Sequence, residues 1–135
     1  MTEYLYFFII IIIIILLDEV VDLWEANQSV AGPAFGRNGT YAAFTYATEG
    51  VRVVKEFAST ATKNERFFLY MALQDMHAPQ QVPSHYSEIY PSPKYNTDYA
   101  IENGMASLAD EVLLNVTNAL KDAKLWNNTL FVYTR

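Results

Sequence analysis

The chain has 135 residues, 52% hydrophobic and 18% charged, which is enough apolar material for one modest domain with a core and too much for a disordered or fibrous protein. A formal net charge of −6, with nine Lys plus Arg and no basic run, argues against nucleic acid or an anionic membrane surface as partner and leaves a solvated acidic surface. Cysteine is absent, so these residues supply no disulfide, no thiolate metal site and no cysteine-derived nucleophile.

Residues 4–17 form an unbroken apolar run with seven consecutive isoleucines, Ile9 to Ile15. The run is short for a membrane-spanning helix, which needs about 20 residues. Its flanks, Glu3, Asp18 and Glu19, lack the basic n-region and small-residue cleavage pattern of a signal peptide. Residues 1–20 therefore admit three readings: a degenerate signal or membrane anchor, a buried strand, or an unrelated stretch joined to the coding sequence. The first and third are preferred here. A membrane partner is expected only if this run is a real anchor.

Residues 22–39 are rich in Asn, Gly, Pro and Ser and read as an irregular loop without helix or strand. From Tyr41 to about Ser59, Phe44, Ala47, Val51, Val54 and Ala58 recur at helical spacing, with Asn38 or Thr40 as the expected N-cap and Gly50 as a weak point. Residues 67–73 are a short continuous apolar run, the pattern of a strand buried on both faces in a parallel sheet. Residues 74–98 carry Pro79, Pro83, Pro91 and Pro93 and are expected to form a long loop.

From Tyr99 to Lys124 the pattern is helical again. Ile101, Met105, Leu108, Val112, Val116 and Leu120 form one stripe, Ser107, Glu111, Asn118 and Asp122 face away, and Asp98 or Thr97 would cap the start. After a turn at residues 125–128, residues 129–133 read as a second buried strand. A strand, helix, strand crossover of this kind is expected to be right-handed within a parallel sheet, whose ligands sit beyond the carboxyl ends of its strands. The residues just after Leu73 and just after Tyr133 are therefore the places to look for chemistry.

Four N-x-[ST] sequons occur, at Asn27, Asn38, Asn115 and Asn127. Each is weak alone, but four in so short a chain favour the secretory pathway and a glycosylated product. Asn115 sits at the edge of the polar helix face, where a glycan would project into solvent.

The first of the two candidate places reads Leu69, Tyr70, Met71, Ala72, Leu73, Gln74, Asp75, Met76, His77, Ala78, Pro79, Gln80, Gln81, Val82, Pro83. This run resembles the type I sulfatases of the arylsulfatase B (N-acetylgalactosamine-4-sulfatase) kind, in which a buried strand leads into a Gln, a His followed one residue later by Pro, and a Gln-Val-Pro. Residues 99–110, the sequon at Asn115 and the turn Leu125, Trp126, Asn127, Asn128, Thr129 are similar to the helix, sequon and turn that follow in those enzymes. Asp22, Leu23, Trp24 and residues 41–54 look like the loop and helix that precede. The likeness covers roughly residues 21–134.

The resemblance implies an α/β, alkaline-phosphatase-like fold with a largely parallel sheet flanked by helices, incomplete in this chain, with residues 21–135 as part of the catalytic domain. It implies a calcium-binding hydrolase of sulfate esters, acting on sulfated glycans or aryl sulfates, and a lysosomal or secreted destination. The family nucleophile is a formylglycine made from the Cys or Ser of a C/S-x-P-S-R segment. The histidine at the position of His77 binds substrate and donates to a sulfate oxygen, stabilising negative charge as the S–O bond breaks. Gln74 and Asp75 would orient it.

Several family parts are not among these residues: there is no C/S-x-P-S-R, no early Asp-Asp pair, and the chain stops at Tyr133, Thr134, Arg135 before the expected Asp-Asn-Gly-Gly. An exon edge or truncated gene model would account for this, and no calcium is expected to bind these residues alone. Expressed by itself the chain is expected to be poorly soluble and without sulfatase activity. The alternative is a truncated, glycosylated, non-catalytic binding or interaction protein, whose sheet would be left with open edges.

Plainer roles compete for the singled-out residues. Without the family, His77 is more often a loop histidine held by a neighbouring carbonyl, and His85 a surface residue with sugar contact as the alternative. Gln74 and Asp75 more often end a strand. Asp98, Glu102, Asp110 and Glu111 are explained by capping and a solvated helix face before metal binding. Tyr86, Tyr90, Tyr95 and Tyr99 either line a sugar platform or pack the loop onto the helix.

Overall fold

The computed structural model describes residues 5–10, 24–26, 31–33, 37, 39–74, 76–91 and 98–134. In chain order its elements are β1 (Leu5–Ile10), β2 (Trp24–Ala26), β3 (Ala31–Pro33), α1 (Ala42–Thr60), β4 (Arg66–Met71), α2 (Ser84–Ser87) and α3 (Tyr99–Asp122), followed by a 3-10 turn at Trp126–Asn128.

The two long helices form where the apolar spacing predicts them. In α3, Met105, Leu108, Val112, Val116 and Leu120 are all buried and Ile101 is partly so. The helix begins after Asp98, whose carbonyl accepts the Glu102 N–H at 2.9 Å, although the Asp98 side chain makes no cap bond. It ends in a Schellman turn: Leu125 N–H reaches Leu120 O at 2.9 Å, Lys124 N–H reaches Lys121 O, and Lys124 sits in the left-handed region at φ 59. In α1 the buried face includes Ala47 and Val54 as expected but widens to Ala43, Thr45, Tyr46, Gly50 and Val53, while Ala58 is exposed. Tyr41, rather than Thr40, is the N-cap, through its backbone alone. Asn38 lies outside the described residues, as does Thr97.

The core fills the space between α1, α3 and one face of β4. Ala43, Ala47, Leu108 and Val112 join Tyr86 at one end, and Val54, Val116, Ala119 and Leu120 join Phe67, Leu69 and Met71 at the other. Burying side chains such as Leu108 and Val54, both 0% exposed, stabilises by about 1.5–3 kcal/mol each. Gly50, expected as a weak point of α1, lies buried against β4 and α3. A Cβ built there would lie 2.9 Å from Met71 Sδ and 3.0 Å from Val116 Cγ2, so no larger residue fits without displacement.

The strands depart most from expectation. β4 pairs in parallel with β1, Leu5 opposite Arg66 and Ile10 opposite Met71. Of the three readings of the apolar start, Leu5–Ile10 thus adopts the strand, the one not preferred; the rest of that run lies outside the described residues. Among the described residues no helix is long and apolar enough to cross a membrane. β4 is not buried on both faces: Phe67, Leu69 and Met71 turn inward while Phe68 and Tyr70 are 48% and 55% exposed. The loop expected over residues 22–39 contains an antiparallel hairpin, with Trp24 opposite Pro33 and Ala26 opposite Ala31. Strands of three residues are too short to print an alternating pattern on the sequence.

The predicted strand over residues 129–133 does not form. Leu130 is 90% and Val132 68% exposed. An apolar run becomes a strand only through a ladder to a neighbour, and none pairs with it among the described residues. The crossover expected between β4 and this segment is accordingly absent there.

Candidate active site

β4 delivers the chain to the site. Beyond Met71 the backbone leaves the strand, and at Met76 it enters the left-handed region at φ 71, a conformation that a residue with a side chain adopts at a cost of about 1–3 kcal/mol. His77 follows directly and is exposed. Its Nδ1 lies 2.6 Å from Ala78 O. A carbonyl can only accept, so Nδ1 carries the proton, and a neutral ring then presents Nε2 as an acceptor. Only the doubly protonated ring donates from Nε2 while keeping this bond. The neighbouring-carbonyl contact of a plain loop histidine is present in an exposed residue.

The loop carrying His77 is fastened to both long helices. Tyr41, at the start of α1, donates its hydroxyl to Gln81 O at 2.6 Å. Gln80 Nε2 donates to Glu102 Oε1 at 2.6 Å in the first turn of α3. Val82 packs into the core, and Gly104 permits the approach: a Cβ there would stand 3.0 Å from Val82 Cγ1 and 3.1 Å from Ser87 N. In α2, Tyr86 is buried and donates its hydroxyl to Glu111. Burial first, then the hydrogen bond to Glu111, pushes the Tyr86 hydroxyl from 10.0 up to about 12.

The other singled-out residues fall as follows. Gln74 is half-buried three residues past β4, and among the described residues it has no hydrogen bond to His77. Asp75 lies outside the described residues, as do Tyr95, Asn27 and Asn38. His85 is exposed on α2, its ring centroid 4.2 Å from that of Tyr86. Tyr86 and Tyr90 pack the loop onto α3, the latter through a hydroxyl contact to Ser107, while Tyr99 is exposed. Asn115 on α3 and Asn127 in the 3-10 turn are both exposed.

Glu102 and Glu111 serve as acceptors for Gln80 and Tyr86. Among the described residues no three His, Cys, Asp or Glu side chains come together as a metal site. The sequence reading missed Tyr41 and Gln80 as supports, since contacts between residues so far apart leave no local mark. Gly104, set inside a helical stripe, was the one available signal of a close approach.

A protein-family model described as Sulfatase matches residues 17–134. Arylsulfatase J of Mus musculus is 34% identical over 97 residues, which cover 72% of this chain and 15% of that protein.

Proposed function

The chain belongs to the sulfatase family, and from that premise we propose that it forms part of a sulfuric ester hydrolase of the arylsulfatase kind, with His77 facing the ester. The observation that supports this best is the exposed imidazole on the first loop beyond the carboxyl end of β4, where ligands of parallel sheets collect. With Nδ1–H bonded to Ala78 O, a protonated His77 donates Nε2–H to a sulfate oxygen. That bond strengthens as charge builds on the oxygen during S–O cleavage, which lowers the barrier. Gln74 and Asp75 remain candidates for orienting the ring.

Residues 21–135 are one portion of the catalytic domain in this reading, and Leu5–Ile10 pairs with its strand β4. The largely parallel sheet flanked by helices, the calcium and the formylglycine nucleophile belong to the whole enzyme; this chain has no Cys from which such a nucleophile is made. An arylsulfatase B-like preference for sulfated sugars is the finer expectation. Exposed sequon residues Asn115 and Asn127 support passage through the secretory pathway to a lysosomal or secreted destination. The non-catalytic binding protein is disfavoured, because Phe68, Tyr70, Leu130 and Val132 leave apolar surface open.

The test has two parts. Purified chain is expected to show no turnover of an aryl sulfate, and the flanking coding sequence to carry, in frame, C/S-x-P-S-R upstream and Asp-Asn-Gly-Gly downstream. Turnover by the chain alone, or flanks lacking both motifs, would overturn the reading.

A further inference from the structure

We infer that Glu102 is a positioning residue for His77, acting through Gln80; the inference rests on the reading of His77 given above. His77 is tied locally, to the carbonyl of its own neighbour, and that bond moves with the loop. Leu73 packs against the core on the strand side of His77, so the ring's place is set by where the chain is next fastened beyond it. Those fastenings fall on successive residues: the Gln80 side chain to Glu102, the Gln81 carbonyl to Tyr41, and Val82 against Gly104.

The three differ in kind. Val82 and Tyr41 both pack against the core, so disturbing them disturbs the fold. The bond from Gln80 Nε2 to Glu102 Oε1 is exposed and reaches across 22 positions of sequence at 2.6 Å, only three residues beyond His77. It can be broken without opening the core. A carboxylate acceptor strengthens such a bond over a neutral one, and the first turn of α3 is a rigid place to anchor it. The latch therefore holds residues 77–80 against α3 and keeps the His77 ring in one orientation.

A carboxylate in the first turn also favours the helix through its dipole, and that purely structural role must be separated. Glu102→Gln does so, because the amide oxygen still accepts from Gln80 while the charge is gone. In the full chain, two-bond 1H–15N spectra report the His77 tautomer and its exchange. Glu102→Ala and Gln80→Ala are expected to broaden and shift the His77 ring signals while the Nδ1–H tautomer persists, with the double variant no worse than either alone. Glu102→Gln is expected to restore the wild-type spectrum even if its thermal midpoint falls.

A second measurement covers failure of the isolated chain to stay in solution. With residues 41–134 grafted in place of the matching segment of mouse arylsulfatase J, Glu102→Ala should lower kcat about tenfold with KM little changed, and Glu102→Gln should recover it. Unchanged His77 signals in Glu102→Ala, or a Glu102→Gln variant as impaired as Glu102→Ala, would overturn the latch. The spectra do not depend on turnover, so a latch confirmed there beside a graft indifferent to His77→Ala would remove the catalytic reading and leave the contact itself standing.

Discussion

At the scale of single residues, the site depends on side chains that do no chemistry. Tyr86 is the clearest, buried beneath the loop with its hydroxyl on Glu111 and its titration moved from 10.0 to about 12. Below pH 10 both folded and unfolded chains keep that proton, so the contribution to stability is fully present. Between 10 and 12 the unfolded tyrosine releases it while the folded one does not, and stability declines as pH rises through the folded value. Tyr86→Phe is therefore expected to cost about 1–2 kcal/mol at neutral pH in chemical denaturation, and to lose less stability than the wild type across that alkaline window. Equal alkaline losses in both proteins would mean the bond does not persist in solution.

At the scale of elements, the helices were legible and the sheet was not. The stripe from Met105 to Leu120 names its own buried face, because helical spacing alone decides which side chains share a side. β4 was legible as a strand but not in its exposure, since Phe68 and Tyr70 are as apolar as Phe67 and Leu69 and only a covering layer decides which become buried. Residues 129–133 have a strand's composition and no ladder. The site was half-legible: His77 stands out by its place after an apolar run, whereas its fastening to α1 and α3 joins residues far apart in sequence. Gly104 connects the two levels, for it lets α3 approach Val82 and Ser87. Gly104→Ala is expected to destabilise by about 1–3 kcal/mol despite the better helix propensity of alanine, with Gly→Ala at an exposed helix position as the contrast. A gain in thermal midpoint would show that the loop is not packed there.

At the scale of the whole molecule, two long helices and one face of β4 enclose two core clusters that share Met71, while the other face of β4 and the segment after the 3-10 turn present Phe68, Tyr70, Leu130 and Val132 to solvent. The 97 residues matched to Mus musculus arylsulfatase J cover 15% of that protein. What the described residues do supply is one imidazole, held out beyond the end of a strand. The direct measurement is steady-state hydrolysis of an aryl sulfate by the arylsulfatase J graft, with and without His77→Ala. The account predicts a fall in kcat of about 10²–10³-fold with the fold intact by circular dichroism; an unchanged kcat would contradict it.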